Sequence, residues 1–217
     1  FLTDTDKTYI AQIELGKQTT TDDCSGEILY QKEINYNFDF EAVLSSFQGP
    51  LHQRVPNTSS KKVNGMKLME YQRKGLEIPE VYQDVTIYEI RSLGFPRFEV
   101  RCSSGTYIRS ICRDFGKKTD NFACMKSLIR TCTSGFNLEQ AQTLEQLETQ
   151  EPVLHSIKTV LQGIPMVEYD DIRSIYQGKP IVLQHSADRI CITENGEPVA
   201  IYDRIEKDQF ISKRGLW

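Results

Sequence analysis

The 217 residues are 39% hydrophobic and 26% charged, with six cysteines, a net charge of −4 and a pI near 5.5. That length suits one substantial soluble domain and a smaller second one, since compact domains run to roughly 100 to 200 residues. No apolar run approaches the ~20 residues needed to cross a bilayer, which excludes a helical membrane span.

From Tyr9 to Leu15, Tyr9, Ala11, Ile13 and Leu15 alternate with Ile10, Gln12 and Glu14, which predicts a largely buried strand ended by Gly16. A threonine-rich loop leads to a second strand around Ile28 to Ile34. Asp39 is placed to cap a short helix to about Phe47, and Gly49-Pro50 then breaks the chain. Arg54 to Asn64 is polar, basic and interrupted by Pro56, so it reads as an ordered loop, followed by a helix from Gly65 to Lys74 with Gly75 at its C-terminal cap. Val85 to Ile90 and Phe98 to Cys102 read as a hairpin turned by Gly94-Phe95-Pro96.

After Ser103-Ser104-Gly105, the positions of Tyr107, Ile108, Ile111, Cys112 and Phe115 predict a helix with one apolar face, closed by Gly116. A strand from Cys124 to Cys132, a helix over Leu138 to Leu147, and a helix opened by Pro152 that buries Val153, Ile157, Val160 and Leu161 complete the first domain. Gly163-Ile164-Pro165 marks the expected boundary, giving domains 1–164 and 165–217. Beyond it, a short helix to Gln177 and strands near Ile181, Ile190 and Val199, with Asn195-Gly196 favouring a type I′ turn, suggest a small β-rich domain.

The cysteines (Cys24, Cys102, Cys112, Cys124, Cys132, Cys191) contain no Cys-x-x-Cys pair and read as buried thiols of a cytoplasmic protein. His52, His155 and His185 sit in no ligand spacing with them, so no metal site is expected. The chain begins at Phe1 with no signal-like stretch ahead of the folded pattern, and reads as cut before its first strand.

Charge is segregated. Six basic residues (Arg54, Lys61, Lys62, Lys67, Arg73, Lys74) face one acid, Glu70, between Arg54 and Gly75. Eight basic residues face three acids between Arg97 and Arg130, whereas Glu139 to Asp171 holds seven acids and only Lys158. Such segregation suits either a phosphate-tracking face on an acidic protein or two ordinary solvated surfaces. The segment Arg101 to Ser110 leaves a strand through small residues and opens a helix with Tyr107 and Arg109 in its first turn. An aromatic and a guanidinium so placed can receive a base and an anion together; equally, Tyr107 can face the core and Arg109 make a surface ion pair.

Cys102-Ser103-Ser104-Gly105-Thr106-Tyr107-Ile108-Arg109-Ser110 resembles the Cys-Ser-x-Gly-Thr-Tyr-Ile-Arg-Ser motif of the TruB family of tRNA pseudouridine synthases. Lys7-Thr8-Tyr9, Leu15-Gly16, Thr19-x-Thr21-x-Asp23 and Gly26 are similar to that family's Lys-x-Tyr strand and loop. Phe47-x-Gly49, Gln53, Pro56, Ser59, Lys62, Gly65, Arg73 and Gly75 resemble its basic insertion, and Leu128-Ile129-Arg130 its Leu-Arg-Arg strand. Val55, Thr58, Ser60 and Met69 depart from the insertion pattern.

The resemblance implies an α+β fold with a mixed sheet, followed by a β-rich PUA-like RNA-binding domain. It implies a monomeric isomerase that flips uridine 55 out of the tRNA T loop and rejoins its base through carbon, with no cofactor. Tyr9 and Arg109 take catalytic roles in that scheme, Tyr9, Tyr107 and Leu128 contact the base, and Lys62, Arg73 and Arg130 contact RNA. Arg109 would pair with an aspartate that the family carries in Gly-x-Leu-Asp-Pro. No such motif occurs here, and neither Asp4 nor Asp6 has its context, so this chain alone is expected to lack turnover. The alternatives are a non-catalytic tRNA-binding or tRNA-folding module of the same fold, and an acidic protein-interaction domain.

Overall fold

Alternation along the first strand carries over directly into packing: Ala11, Ile13 and Leu15 are buried, and the residues between them are not. The computed structural model of the protein describes residues 5–217, which form one unit ending at Ala141 and a second from Gln142 to Trp217. Phe1 and Asp4 lie outside the described residues.

The first unit runs β1 (Lys7–Leu15), β2 (Lys17–Thr19), β3 (Ile28–Gln31), α1 (Phe40–Ser45), β4 (Gly49–Arg54), β5 (Lys62–Val63), β6 (Met66–Lys67), α2 (Leu68–Arg73), β7 (Tyr82–Ser92), β8 (Arg97–Cys102), α3 (Ile108–Lys118), β9 (Ala123–Thr133) and β10 (Phe136–Asn137). Its main sheet has the order β10-β9-β1-β8-β7-β4 with antiparallel ladders, and a single parallel bridge joins Asp23 to Met125. One face of this sheet is covered by α3 and α1, whose Ile108, Ile111, Cys112, Phe115 and Leu44 join Ala11, Ile13, Ile87, Phe98, Val100 and Cys102 in one core.

The hairpin β7–β8 forms as expected around Gly94, where φ is +87°, and the Phe95–Pro96 peptide is cis. Asp39 caps α1, its Oδ1 accepting from the Ala42 N–H at 3.0 Å. Several expectations need correction, among them the helix from Gly65, where Lys62–Val63 pairs with Met66–Lys67 and α2 starts only at Leu68. Gly49-Pro50 opens the edge strand β4 instead of breaking the chain; a proline without an N–H is tolerated at a sheet edge. Gly116 lies inside α3, not at its end, because the helix passes so close to β9 that a Cβ there would sit 2.6 Å from the Cβ of Ala123. The helix expected over Leu138 to Leu147 is a 3-10 turn at Leu138–Gln140 and then a separate short helix.

That helix is α4 (Leu144–Thr149), which opens the second unit together with α5 (Ile157–Val160), β11 (Met166–Glu168), α6 (Ile172–Tyr176), β12 (Ile181–Val182), β13 (Arg189–Glu194), β14 (Glu197–Glu206) and β15 (Gln209–Gly215). Pro152 does not open a helix: α5 starts after a Ser156 cap, and Val153 is 64% exposed. Residues 142–164 belong to this unit, where Leu161 packs on Cys191 and Ile201, so the division falls earlier than the boundary expected at Pro165. The five strands form a sheet of order β11-β13-β14-β15-β12, parallel only at β11–β13. Asn195 and Gly196 both have positive φ, as the type I′ turn requires. The overall class is α+β with a β-rich C-terminal part.

Candidate nucleic-acid site at the start of helix α3

Cys102 closes β8 opposite Lys7 of β1, so the turn that follows leaves the sheet beside the end of β1 that carries Tyr9. Ser103 Oγ accepts from the Thr86 N–H at 2.9 Å, Thr106 Oγ1 donates to the Ser103 carbonyl at 2.9 Å, and Gly105 takes φ +81°. These bonds bring Tyr107 to the cap position of α3. Tyr107 makes no side-chain cap bond of its own. Instead, the buried Gln53 accepts from its N–H at 2.8 Å and donates to its carbonyl at 3.1 Å.

Arg109, in the first turn, neither points into bulk water nor waits unpaired. Its Nη1 donates to the Thr21 carbonyl at 2.7 Å and to Asp23 Oδ2 at 3.3 Å, and its Nη2 donates to the Thr58 carbonyl at 2.9 Å. One planar group thus ties the loop between β2 and β3 to the basic segment. Burial raises the Asp23 carboxyl, but hydrogen bonds from Ser25 and Thr21 and the charge of Arg109 outweigh it and hold the group below its ordinary value. Asp23 therefore contributes stability above the usual carboxylate range, and that contribution fades as pH falls through its lowered pKa.

One turn later Arg113, 2% exposed, pairs with Asp22 and Asp114 at 2.9 Å each and donates to the Arg54 carbonyl, which also accepts from Ser110 Oγ at 2.7 Å. Burial pushes the Asp22 carboxyl up despite the opposing pull of Arg113.

The other predicted residues lie along β1 and β9. Tyr9 faces the core side of the sheet, with Val100 and Arg130 as its cross-strand neighbours. Burial, then the nearby Cys102, push its phenol up, against the lowering effect of a hydrogen bond from Arg130, so Tyr9 is a neutral phenol near pH 7. Leu128 pairs with the buried Ala11 but is itself 41% exposed, an open apolar surface beside the core rather than a closed wall. Asp6 is engaged with Arg101 at 2.9 Å, on the face opposite Val100 and Cys102.

The two basic segments differ in how much of their charge is paired. Arg101, Arg109, Arg113 and Lys117 of the second segment are paired with acids, whereas in the first only Arg54 is, with Glu80 at 2.7 Å, and Lys61, Lys62, Lys67, Arg73 and Lys74 have no ion pair among the described residues. Lys62 and Arg73 are exposed on β5 and α2. The structure thus joins Tyr107 and Arg109 to the basic segment through Gln53 and Thr58, and sets Tyr9, Leu128 and Arg130 along the adjoining strands. Asp23, Gln53 and the Thr58 carbonyl are partners that sequence reasoning did not assign; Asp23 and Gln53 stood within the motifs quoted, but nothing local reveals what they reach. Among the described residues, no group of three His, Cys, Asp or Glu side chains could hold a metal ion.

The model of the TruB family pseudouridylate synthase N-terminal domain matches residues 1–108. The chain is similar to tRNA pseudouridine synthase B of Bacillus cytotoxicus, with 34% identity over 95% of this chain and 75% of the relative. It is 35% identical to the Bacillus subtilis protein of that name over 93% and 74%, and 36% identical to that of Bacillus pumilus over 79% and 61%. The chain thus spans less than two thirds of the Bacillus pumilus relative. Its fold is shared with a chain of a Cbf5-Nop10-Gar1 complex, at 17% identity and TM-score 0.63, covering 100% of this chain and 67% of that one. A chain of an H/ACA RNP bound to a substrate RNA containing 2′-deoxyuridine matches at 15% identity and TM-score 0.65, with the same coverage.

Proposed function

Because the chain belongs to the TruB family of pseudouridylate synthases, we propose that it holds the RNA-binding and base-receiving parts of an isomerase that converts uridine 55 of the tRNA T loop to pseudouridine. The single observation that carries this reading is the junction at α3. There Tyr107 and Arg109 open a helix beside Tyr9, and Arg109 is bonded to the very segment that presents unpaired basic residues. A uridine extruded from the T loop loses a few kcal/mol of stacking, and an aromatic platform returns ~1 to 3 kcal/mol per base. Tyr9 serves as that platform, with Tyr107 and Leu128 as neighbouring surfaces and Arg130 holding the Tyr9 hydroxyl. A neutral phenol suits stacking and hydrogen-bond donation better than proton abstraction.

In the reaction the bond from ribose C1′ to N1 breaks, a bond from C1′ to C5 forms, the C5 proton is lost, and N1 regains one. Substrate and product are isomers, so no external oxidant, reductant or group donor enters. The Arg109 fork would orient and keep ionised the family's aspartate, which has no counterpart in this sequence.

The exposed residues of the basic segment give the binding test. Neutralising Lys61, Lys62, Arg73 and Lys74 together should weaken tRNA binding and flatten its salt dependence by up to ~0.7 to 0.9 in log–log slope for each phosphate left without a cation. Neutralising Lys117, already paired with Asp114, should leave the slope unchanged. Filter binding of unmodified tRNA across a salt series reads both, and an unchanged slope in the fourfold variant would return these residues to an ordinary solvated surface.

A further inference from the structure

We propose that Gln53 is a positioning residue of the pocket, its buried amide fixing the peptide of Tyr107 and so coupling the Tyr107 ring and the start of α3 to the strand that runs into the basic segment. The proposal rests on the base-receiving role given above to Tyr107. Gln53 is 1% exposed and sits on β4, one residue before the basic segment opens at Arg54. Its Oε1 accepts from the Tyr107 N–H and its Nε2 donates to the Tyr107 carbonyl, so one amide grips one residue from both sides. Its cross-strand neighbour Gln83 donates to the carbonyl of Gly105, two residues earlier in the same turn.

Helix starts are usually capped by a serine, threonine, aspartate or asparagine at the cap position itself, which needs no distant partner. Here the cap residue is Tyr107, and the amide that satisfies its backbone comes from 54 residues earlier in the chain. The bonds continue in order along that segment: the Arg54 carbonyl takes Ser110 and Arg113, and the Thr58 carbonyl takes Arg109. Three points of one segment thus fall on the first two turns of one helix. A shift of the basic segment on engaging phosphates would reach Tyr107 through Gln53 and Arg109 through Thr58. Gln53 needs no contact with RNA to act in this way.

The test uses the 217-residue chain and a T-arm hairpin RNA carrying a fluorescent uridine analogue at the target position. Total binding, set mostly by phosphates, is read from filter retention, and base capture from the change in analogue fluorescence on stacking. Gln53→Met should reduce the base-capture equilibrium at least about tenfold, as expected when a buried hydrogen-bonded pair is removed, while changing total affinity less than about threefold. Gln53→Glu keeps the shape and the acceptor but, when ionised, cannot donate to the Tyr107 carbonyl. It should behave like Gln53→Met at about pH 8 and recover capture at about pH 5.5, where a protonated carboxyl supplies the missing donor. If the methionine variant fails to fold, this pH-dependent recovery decides by itself. Variants that capture the base as well as the parent, or that lose capture and total affinity in equal measure, would overturn the positioning role and leave the function of the pocket standing. A parent chain that binds the hairpin without capturing the base would overturn both.

Discussion

Arg109→Lys and Arg109→Ala should each lower pseudouridine formation at least ~100-fold, about 2.7 kcal/mol of transition-state stabilisation, in an enzyme made by joining a family member's Gly-x-Leu-Asp-Pro segment ahead of Phe1. The guanidinium serves acceptors in two loops at once, Thr21 and Asp23 on one side and Thr58 on the other. A lysine ammonium keeps the charge but is a single point, able to satisfy one of these directions while leaving no fixed fork for a carboxylate. The same bonds carry a structural cost: losing hydrogen bonds to part-buried carbonyls removes ~1 to 2 kcal/mol of stability from either variant. Turnover must therefore be compared well below each melting temperature and beside tRNA affinity, which should change little. An exposed ion pair worth ~0 to 1 kcal/mol would tolerate lysine, so an Arg109→Lys enzyme with more than about a third of parental activity would remove Arg109 from the chemistry.

The largest stability effect belongs to Arg113. Replacement by methionine keeps the volume but leaves Asp22, buried and at φ +61°, without its counter-charge. Breaking one side of a buried pair typically costs ~3 to 5 kcal/mol, which in a unit of this size lowers the melting temperature by roughly 10 to 15 °C. Two further measurements identify the cause. Adding Asp22→Asn should recover part of the loss, because the stranded charge is gone. The penalty of Arg113→Met should also shrink as pH falls, since burial already raises the Asp22 carboxyl and protonation makes it neutral. A loss under ~1 kcal/mol, flat with pH, would mean that Arg113 is effectively solvated.

Local pattern carried the strands and the main helix. Ala11, Ile13 and Leu15 alternate because one face of β1 meets α3, and Ile108, Ile111, Cys112 and Phe115 recur at helical spacing because they are the other side of that interface. The pattern failed where no partner surface exists: Leu144 is 81% exposed and Val153 64%, so their apolar spacing specified no packed helix face. It failed at β4 for the opposite reason, since pairing with β7, set by residues far along the chain, overrides the breaking tendency of Gly49-Pro50. In the candidate site, motif resemblance alone singled out Tyr9, Tyr107 and Arg109. The pairing of Arg109 with Asp23 and the grip of Gln53 on Tyr107 were not legible, because each spans more than 50 residues and leaves no periodic trace.

The central claim, that this fold receives and isomerises a T-loop uridine once supplied with an aspartate, is tested most directly by counting pseudouridine. Unmodified tRNA would be incubated with the 217-residue chain and with the aspartate-bearing fusion, and the product read by carbodiimide labelling, because isomerisation leaves mass unchanged. The account predicts pseudouridine at position 55 with the fusion and none with the chain alone. Turnover by the chain alone would show that the nucleophile lies among its own residues, and a fusion that binds tRNA yet forms no pseudouridine would contradict the isomerase reading.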